Sequence, residues 1–117
     1  MASEPNDDDE RLETFWAGQL IFKEGDPGQV MFVVIEGRVR LKVNGQTVEE
    51  IEPNGIFGEL ALVDGAPRSA TAEAITECTL ATISEERFNM LVQETPEFAL
   101  RVMRVLSRRL RTMDTLL

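Results

Sequence analysis

Residues 11–83 form a series of short apolar runs separated by turns that contain glycine. Runs of this length, bounded by Gly, Asn, Asp and Pro, favour β-strands joined by tight turns. Many short antiparallel strands at this spacing predict a jelly roll or a similar barrel. The glycine turns lie at Ala17-Gly18, Gly25-Asp26-Pro27-Gly28, Glu36-Gly37, Asn44-Gly45, Asn54-Gly55 and Asp64-Gly65.

The clearest hairpin is centred on Asn44-Gly45, the residue pair that type I′ turns prefer. A two-residue loop at this position would pair Leu41 with Val48 and Arg40 with Glu49. We interpret the basic residues before the turn as a solvated strand face and not as a nucleic-acid patch, because they alternate cleanly with apolar ones. The inward positions are Val39, Leu41 and Val43, and the outward positions are Arg38, Arg40 and Lys42.

After Ile83 the spacing of apolar residues changes to three and four, which predicts helices. Ser84 is the expected N-cap of a short helix at about 85–92, and Pro96 opens a longer helix at about 97–116. We interpret the arginines of the longer helix as a solvated face or the flank of a dimer seam. Its apolar stripe consists of Ala99, Val102, Met103, Leu106, Leu110, Met113 and Leu117, and its arginines are Arg101, Arg104, Arg108, Arg109 and Arg111.

The composition excludes several classes of function. A net charge of −9 argues against non-specific binding of nucleic acid. The chain has no histidine, the commonest general base and metal ligand, and Cys78 is its only cysteine. We therefore expect no catalytic residue, no metal, no cofactor and no disulfide, and we expect Cys78 to be a buried, inert thiol.

No apolar run reaches the roughly 20 residues of a membrane span. Residues 1–10 are acidic, lack the apolar core of a signal peptide and are predicted to be a disordered tail. We therefore expect a cytoplasmic protein that does not bind membranes. Residues 11–117 would form one domain, with a barrel at about 11–83.

The segment 57–71 combines residue types that suit a compact phosphate ester. Gly58 has no Cβ, so the backbone can approach a ligand closely. Residues 59–62 can form a helical turn whose free N–H groups point at an anion, and Arg68 offers a planar fork of donors. The carboxylate of Glu59 would suit a ligand that also carries a hydroxyl group.

Two residues of this segment also have simpler interpretations when each is taken alone. Glu59 could place its carboxylate at a helix N-terminus, where the macrodipole favours negative charge. Arg68 could be a surface arginine paired with Asp64. These structural roles do not explain the joint spacing of the whole segment.

The segment Phe57-Gly58-Glu59-Leu60-Ala61-Leu62, followed by Pro67-Arg68-Ser69-Ala70-Thr71, closely resembles a known motif. It is similar to the phosphate-binding cassette of cyclic-nucleotide-binding domains, F-G-E-x-A-L followed by P-R-x-A-T. This family includes domains like those of catabolite activator protein and the protein kinase A regulatory subunit. Residues 22–26 and 31–39 resemble its F-x-x-G-(D/E) and φ-φ-φ-I-x-G-x-V signatures, so the resemblance covers about residues 17–112.

The resemblance implies a mainly β fold with C-terminal helices, that is, an antiparallel jelly-roll barrel with a short cassette helix and a C-terminal helical lid. It implies that Glu59 accepts the ribose hydroxyl and that Arg68 pairs with the cyclic phosphate. The N–H groups of Ala61 and Ser69 would complete the phosphate site. The implied ligand-binding residues are Gly58, Glu59, Leu60, Ala61, Arg68, Ser69 and Ala70 in the cassette, with Leu41, Phe57 and Met113 near the base.

We therefore expect a stand-alone sensor that is not an enzyme and that binds cyclic AMP, with cyclic GMP less favoured. By comparison with the family, we expect the usual helical segment before the first strand to be nearly absent and no output domain to follow Leu117. The C-terminal helix would move to cap the base and could bind a second copy or an effector protein.

Three alternatives remain open. The chain could be a degenerate domain that serves as a dimerisation or scaffold element through residues 97–117. It could be a regulatory fragment of a larger channel or transcription factor. It could be an enzyme on the same barrel, such as a cupin-like isomerase, although the absence of histidine disfavours this class.

Overall fold

The computed structural model describes the backbone of residues 10–116 and the side chains of residues 11–111. Within this part of the chain, strands come first and the two longer helices come last, as the sequence predicts. The strands are β1 (Glu10–Phe15), β2 (Leu20–Phe22), β3 (Val30–Glu36), β4 (Val39–Val43), β5 (Gln46–Ile51), β6 (Ile56–Phe57), β7 (Thr71–Ala74) and β8 (Cys78–Ser84). The helices are α1 (Glu59–Asp64), α2 (Glu85–Glu94) and α3 (Pro96–Leu116).

The strands form two four-stranded antiparallel sheets with the orders β1-β8-β3-β6 and β2-β7-β4-β5. Apart from the β4–β5 hairpin, neighbours in each sheet are distant in the sequence, because the chain crosses repeatedly between the two layers. This arrangement confirms the predicted fold class, a mainly β jelly roll followed by helices. In the described part of the chain, no helix is both long enough and apolar enough to cross a bilayer.

Two apolar clusters hold the layers together. The first lies between the sheets and includes Phe32 and Leu80 from one sheet and Leu41 and Ala72 from the other. The second lies between the first sheet and the C-terminal helices, and contains Met31, Ile56, Ile83, Val102 and Val105. Burial of such side chains stabilises the fold by about 25 cal/mol per Å² of apolar surface. The second cluster therefore anchors α3 to the sheet.

The Asn44-Gly45 hairpin forms, and both residues have positive φ angles, 54° and 81°. Its register differs from the prediction because a bulge lies between Leu41 and Lys42. Leu41 pairs with Glu49, and Arg40 pairs with Glu50. The predicted partners were wrong by one residue, since an extra residue in one strand shifts all pairs beyond it. Glu49 consequently lies opposite Leu41.

The helix boundaries agree closely with the sequence pattern. The Ser84 hydroxyl accepts a hydrogen bond from the Arg87 N–H at 3.1 Å, which confirms the predicted N-cap of α2. The buried face of α3 was predicted only in part. Val102 and Val105 are buried, whereas Met103 is 55% exposed and Leu110 is 63% exposed. α3 packs against the first sheet along one narrow face. Met103 and Leu110 belong to the predicted apolar stripe but lie outside that face, so they remain exposed.

Candidate functional site

A cavity of about 50 Å³ lies where α1, the following loop and α3 meet. The sequence predicted eight of its lining residues, namely Leu41, Gly58, Glu59, Leu60, Ala61, Arg68, Ser69 and Ala70. Phe22, Pro67 and Arg109 also line it, and the sequence analysis did not place them in the site. The cassette, which is local in sequence, thus meets a residue from the C-terminal helix.

Gly58 and Gly28 allow the backbone to approach the Arg68 side chain. Gly58 is the N-cap of α1 and has a φ of 80°, a conformation that disfavours residues with a Cβ. A Cβ added to Gly58 would lie 2.8 Å from Arg68 Nη1, and one at Gly28 would also collide with the guanidinium. Both glycines are therefore needed for the observed position of Arg68.

Arg68 lies inside the protein, with only 7% of its surface exposed. Its Nη1 donates to the Gly58 carbonyl at 3.0 Å, and its Nη2 donates to the Val30 carbonyl at 2.9 Å. The guanidinium lies 4.1 Å from the centre of the Phe22 ring. Its Nε is buried and has no hydrogen-bond partner among the described residues. A buried N–H without an acceptor is costly, and this one lies against Gly28.

The electrostatic setting of Arg68 leaves it charged at neutral pH. Burial lowers the pKa of its guanidinium, and the negative charges of Asp26 and Glu59 oppose this shift. Arginine nevertheless does not lose its proton near neutrality. The surface interpretation is wrong for this residue, since Arg68 is interior and the Asp64 carboxylate accepts instead from the Ala66 N–H at 3.0 Å.

Glu59 is buried at the cavity, with 2% of its surface exposed. Its two carboxylate oxygens accept hydrogen bonds from Arg109 Nη1 at 2.7 and 2.6 Å. The N-cap position of α1 is Gly58, and no side chain makes a capping hydrogen bond there. Glu59 is the first residue of α1, as the simpler interpretation predicted, but its carboxylate makes no capping hydrogen bond and binds Arg109 instead.

Arg109 is the charged residue of the site that the sequence analysis missed. Its side chain is 17% exposed, whereas that of its neighbour Arg108 is 61% exposed. Arg109 Nε also donates to Glu49 Oε1 at 2.9 Å, and its Nη2 donates to the Ile56 carbonyl at 2.7 Å. For Arg109, the predicted solvated face or dimer flank was wrong. A buried carboxylate in the cassette implied a buried cation, but nothing in the sequence indicated which arginine supplied it.

The partners of Arg109 keep it ionised. Burial alone would lower the pKa of its guanidinium, but the hydrogen bond to Glu49 and the charge of Glu59 raise the pKa above its ordinary value. Each carboxylate offsets part of the cost of removing the cation from water. The result is a cation with two carboxylate partners, one from β5 and one from α1.

Two predicted base contacts lie elsewhere or outside the described residues. Phe57 is fully buried in the core and stacks on Phe32 with ring centres 5.1 Å apart, so it does not line this cavity. The side chain of Met113 lies outside the described residues. Cys78 is 1% exposed and donates to the Arg38 carbonyl at 3.0 Å, as expected of a buried thiol.

Comparison with known proteins agrees with this geometry. The family model described as "Cyclic nucleotide-binding domain" matches residues 12–95. The chain is 40% identical over 89 residues to the cyclic nucleotide-gated potassium channel mll3241 of Mesorhizobium japonicum. The aligned region covers 76% of this chain and 24% of the channel. It is 31% identical over 102 residues to a CRP-like cAMP-activated global transcriptional regulator of Mycobacterium tuberculosis, and the aligned region covers 83% of this chain and 46% of the regulator.

Solved structures show the same fold. The Thermus thermophilus catabolite activator protein superposes with a TM-score of 0.80 and 32% identity, covering 91% of this chain and 52% of that protein. A cAMP-bound PfPKA-R (141–441) structure gives a TM-score of 0.83 and 25% identity, covering 93% and 38%. The chain spans about a quarter to a half of the length of the two relatives named above, the channel and the transcriptional regulator. With its cassette, its fold and its family match, the chain belongs to the cyclic-nucleotide-binding domain family.

Proposed function

We propose that this chain is a stand-alone sensor that binds cyclic AMP and responds by movement of α3. The observation that carries the proposal is the placement of Arg68 and Glu59 in one small cavity. One residue is a buried cation with an unused Nε donor, and the other is a buried hydroxyl acceptor. A cyclic nucleotide presents the matching groups, an anionic cyclic phosphate next to a ribose hydroxyl.

Four residues of the cassette and two residues outside it have roles in this proposal. Arg68 pairs with the phosphate, and the backbone N–H groups of Ala61 and Ser69 complete its shell. Glu59 accepts the 2′-hydroxyl. Leu41 contacts the base from the barrel, and Met113 contacts it from α3. The protein acts by binding in the cytoplasm, without catalysis or a cofactor, and α3 transmits the signal to a second copy or to an effector protein.

Two competing functions make different predictions. A degenerate scaffold domain would give no heat of binding when cyclic AMP is titrated into the purified protein. An enzyme of the cupin type would carry a metal, which elemental analysis of the purified protein would detect. Detection of a copurified cyclic nucleotide by mass spectrometry of the denatured protein would support the proposal directly.

We expect cyclic AMP to bind more tightly than cyclic GMP, by no more than about 10-fold or 1.4 kcal/mol. Family members that select cyclic GMP commonly have Thr directly after the phosphate arginine, where this chain has Ser69. Serine has the hydroxyl but lacks the methyl group that restricts the side-chain rotamer, so its discrimination should be weak. Calorimetric titration of both nucleotides against one preparation measures the ratio. A clear preference for cyclic GMP would contradict this assignment.

We also expect nucleotide to slow hydrogen exchange at two places, residues 57–71 and residues 105–117. The cassette gains protection because it contacts the phosphate, and the helix gains protection if it caps the base. A helix that is already held in a constitutive dimer through Val102, Leu106 and Leu110 would leave only the cassette protected. Unchanged exchange across residues 105–117 at saturating ligand would show that α3 is not a switch.

A further inference from the structure

The guanidinium of Arg109 connects α3 to the ligand site through Glu59. Both oxygens of Glu59 accept from Arg109 Nη1, at 2.7 and 2.6 Å, and the pair is almost fully buried. In the proposed function, this same carboxylate must accept the ribose hydroxyl. Arg109 and the ligand would therefore bind the same buried carboxylate group.

The small size of the cavity also indicates that Arg109 limits the space for a ligand. Its volume is about 50 Å³, and Arg109 forms part of its wall. Pockets that enclose small-molecule ligands and cofactors usually measure about 300–1,000 Å³. The enclosed space is smaller than such a pocket, so a nucleotide that entered it fully would displace part of the wall. Arg109 is the lining residue that comes from α3.

We propose that Arg109 is an intramolecular latch that competes with the ribose for Glu59 and holds the pocket closed. This inference rests on the proposed function, because it assumes that Glu59 binds the ribose. When nucleotide binds, its hydroxyl takes over Glu59 and the guanidinium leaves the cavity. Since Arg109 lies on the same helix as Val105, which packs against the sheet, its release changes how α3 is held.

Glu49 makes this exchange feasible. Arg109 Nε already donates to Glu49 Oε1 at 2.9 Å, and the Glu49 side chain is 24% exposed, against 2% for Glu59. An arginine that left Glu59 would thus keep one carboxylate partner nearer to solvent. A displaced cation without any partner would be much more costly. Glu59 would hold the Arg109 guanidinium inside the cavity, and Glu49 would hold it nearer to the surface.

The test compares Arg109→Gln with Arg108→Gln in the full chain. Arg109→Gln removes the charge but keeps much of the length, and we expect it to tighten binding of both cyclic AMP and cyclic GMP by about 10-fold. This factor corresponds to a pocket that is open about a tenth of the time in the wild-type protein. Arg108 is the matched control, since it approaches Glu49 at 3.5 Å but its side chain is 61% exposed. Arg108→Gln should change both affinities less than about twofold.

Each outcome of the titration supports or contradicts the latch. Unchanged or weaker binding by a folded Arg109→Gln protein would overturn it, while nucleotide binding by the wild type would leave the proposed function intact. Binding by the variant alone would support a latch that is closed too firmly to open. Binding by neither protein would contradict both proposals. If Arg109→Gln does not fold, Arg109→Lys tests the same point, because it keeps the charge but loses the planar fork. A latch predicts a smaller gain in the same direction.

Discussion

Replacement of Arg68 by alanine is expected to weaken cyclic AMP binding about 30-fold or more. Loss of one partner from a buried charged pair typically costs about 2–5 kcal/mol, which corresponds to a factor of about 30 or more in Kd. Arg68 is well placed for such an effect because it is 7% exposed and its buried Nε has no partner in the described part of the chain. Calorimetric titration of the variant with cyclic AMP measures the loss.

The control for this experiment must separate binding from folding. Arg68 also donates to the carbonyls of Gly58 and Val30, so the variant should unfold at a lower temperature. Arg38→Ala is a matched control, because Arg38 is 44% exposed and pairs with Glu50 at 3.6 Å on the barrel surface. It should bind cyclic AMP like the wild type. Near-wild-type affinity in an Arg68→Ala protein that remains folded would show that Arg68 does not hold the phosphate.

The second large effect concerns the ribose. We expect 2′-deoxy cyclic AMP to bind the wild-type protein more weakly than cyclic AMP by about 1.5–3 kcal/mol, the usual contribution of a hydrogen bond to a charged group. The same comparison in Glu59→Ala should show little difference, since the acceptor is gone. Titration of both ligands against both proteins completes a cycle that isolates the contact between Glu59 and the hydroxyl.

The structure makes this cycle practicable. When Glu59 is removed, Arg109 retains Glu49 and the Ile56 carbonyl as partners, so the buried cation is not left alone. Glu50→Ala is a suitable control, because Glu50 is 44% exposed and pairs with Arg38 away from the cavity. It should retain the full discrimination between the two ligands. If the losses from the deoxy ligand and from Glu59→Ala simply add, Glu59 is not the ribose partner.

Local signals in the sequence were sufficient for the elements and for most of the cassette. Asn44-Gly45 predicted a turn, Ser84 predicted a helix start, and both are present because each depends on atoms a few residues apart. Residues 58–61 and 68–70 line one cavity, since a short helix and the loop after it are close in both sequence and space. The ligand roles of these residues stay predictions until the titrations are made.

Other features depended on packing between distant segments. The bulge beside Leu41 moved the strand register by one residue, and the exposure of Met103 showed that α3 packs on its sheet along only one side. Phe57 lies in the core because it stacks on its cross-strand neighbour Phe32 and contacts Phe22 of the other sheet. The register prediction assumed regular pairing, and the alternating pattern of residues gave no sign of the extra residue at the bulge.

The residue pattern was enough to predict the β-rich fold, the order of the elements, and a cassette that contains a glycine, a carboxylate and an arginine. Which cation meets the carboxylate depended on the packing of distant segments. Glu59 and Arg109 are 50 residues apart, and several arginines on α3 carry the same charge at similar spacing. The pair forms because Val102 and Val105 dock that helix against the sheet, and the resulting rotation points Arg109 into the cavity and leaves Arg108 in solvent. Opposite charge alone could not identify the partner of Glu59, because ion pairing also requires a short distance and the packing of α3 sets that distance.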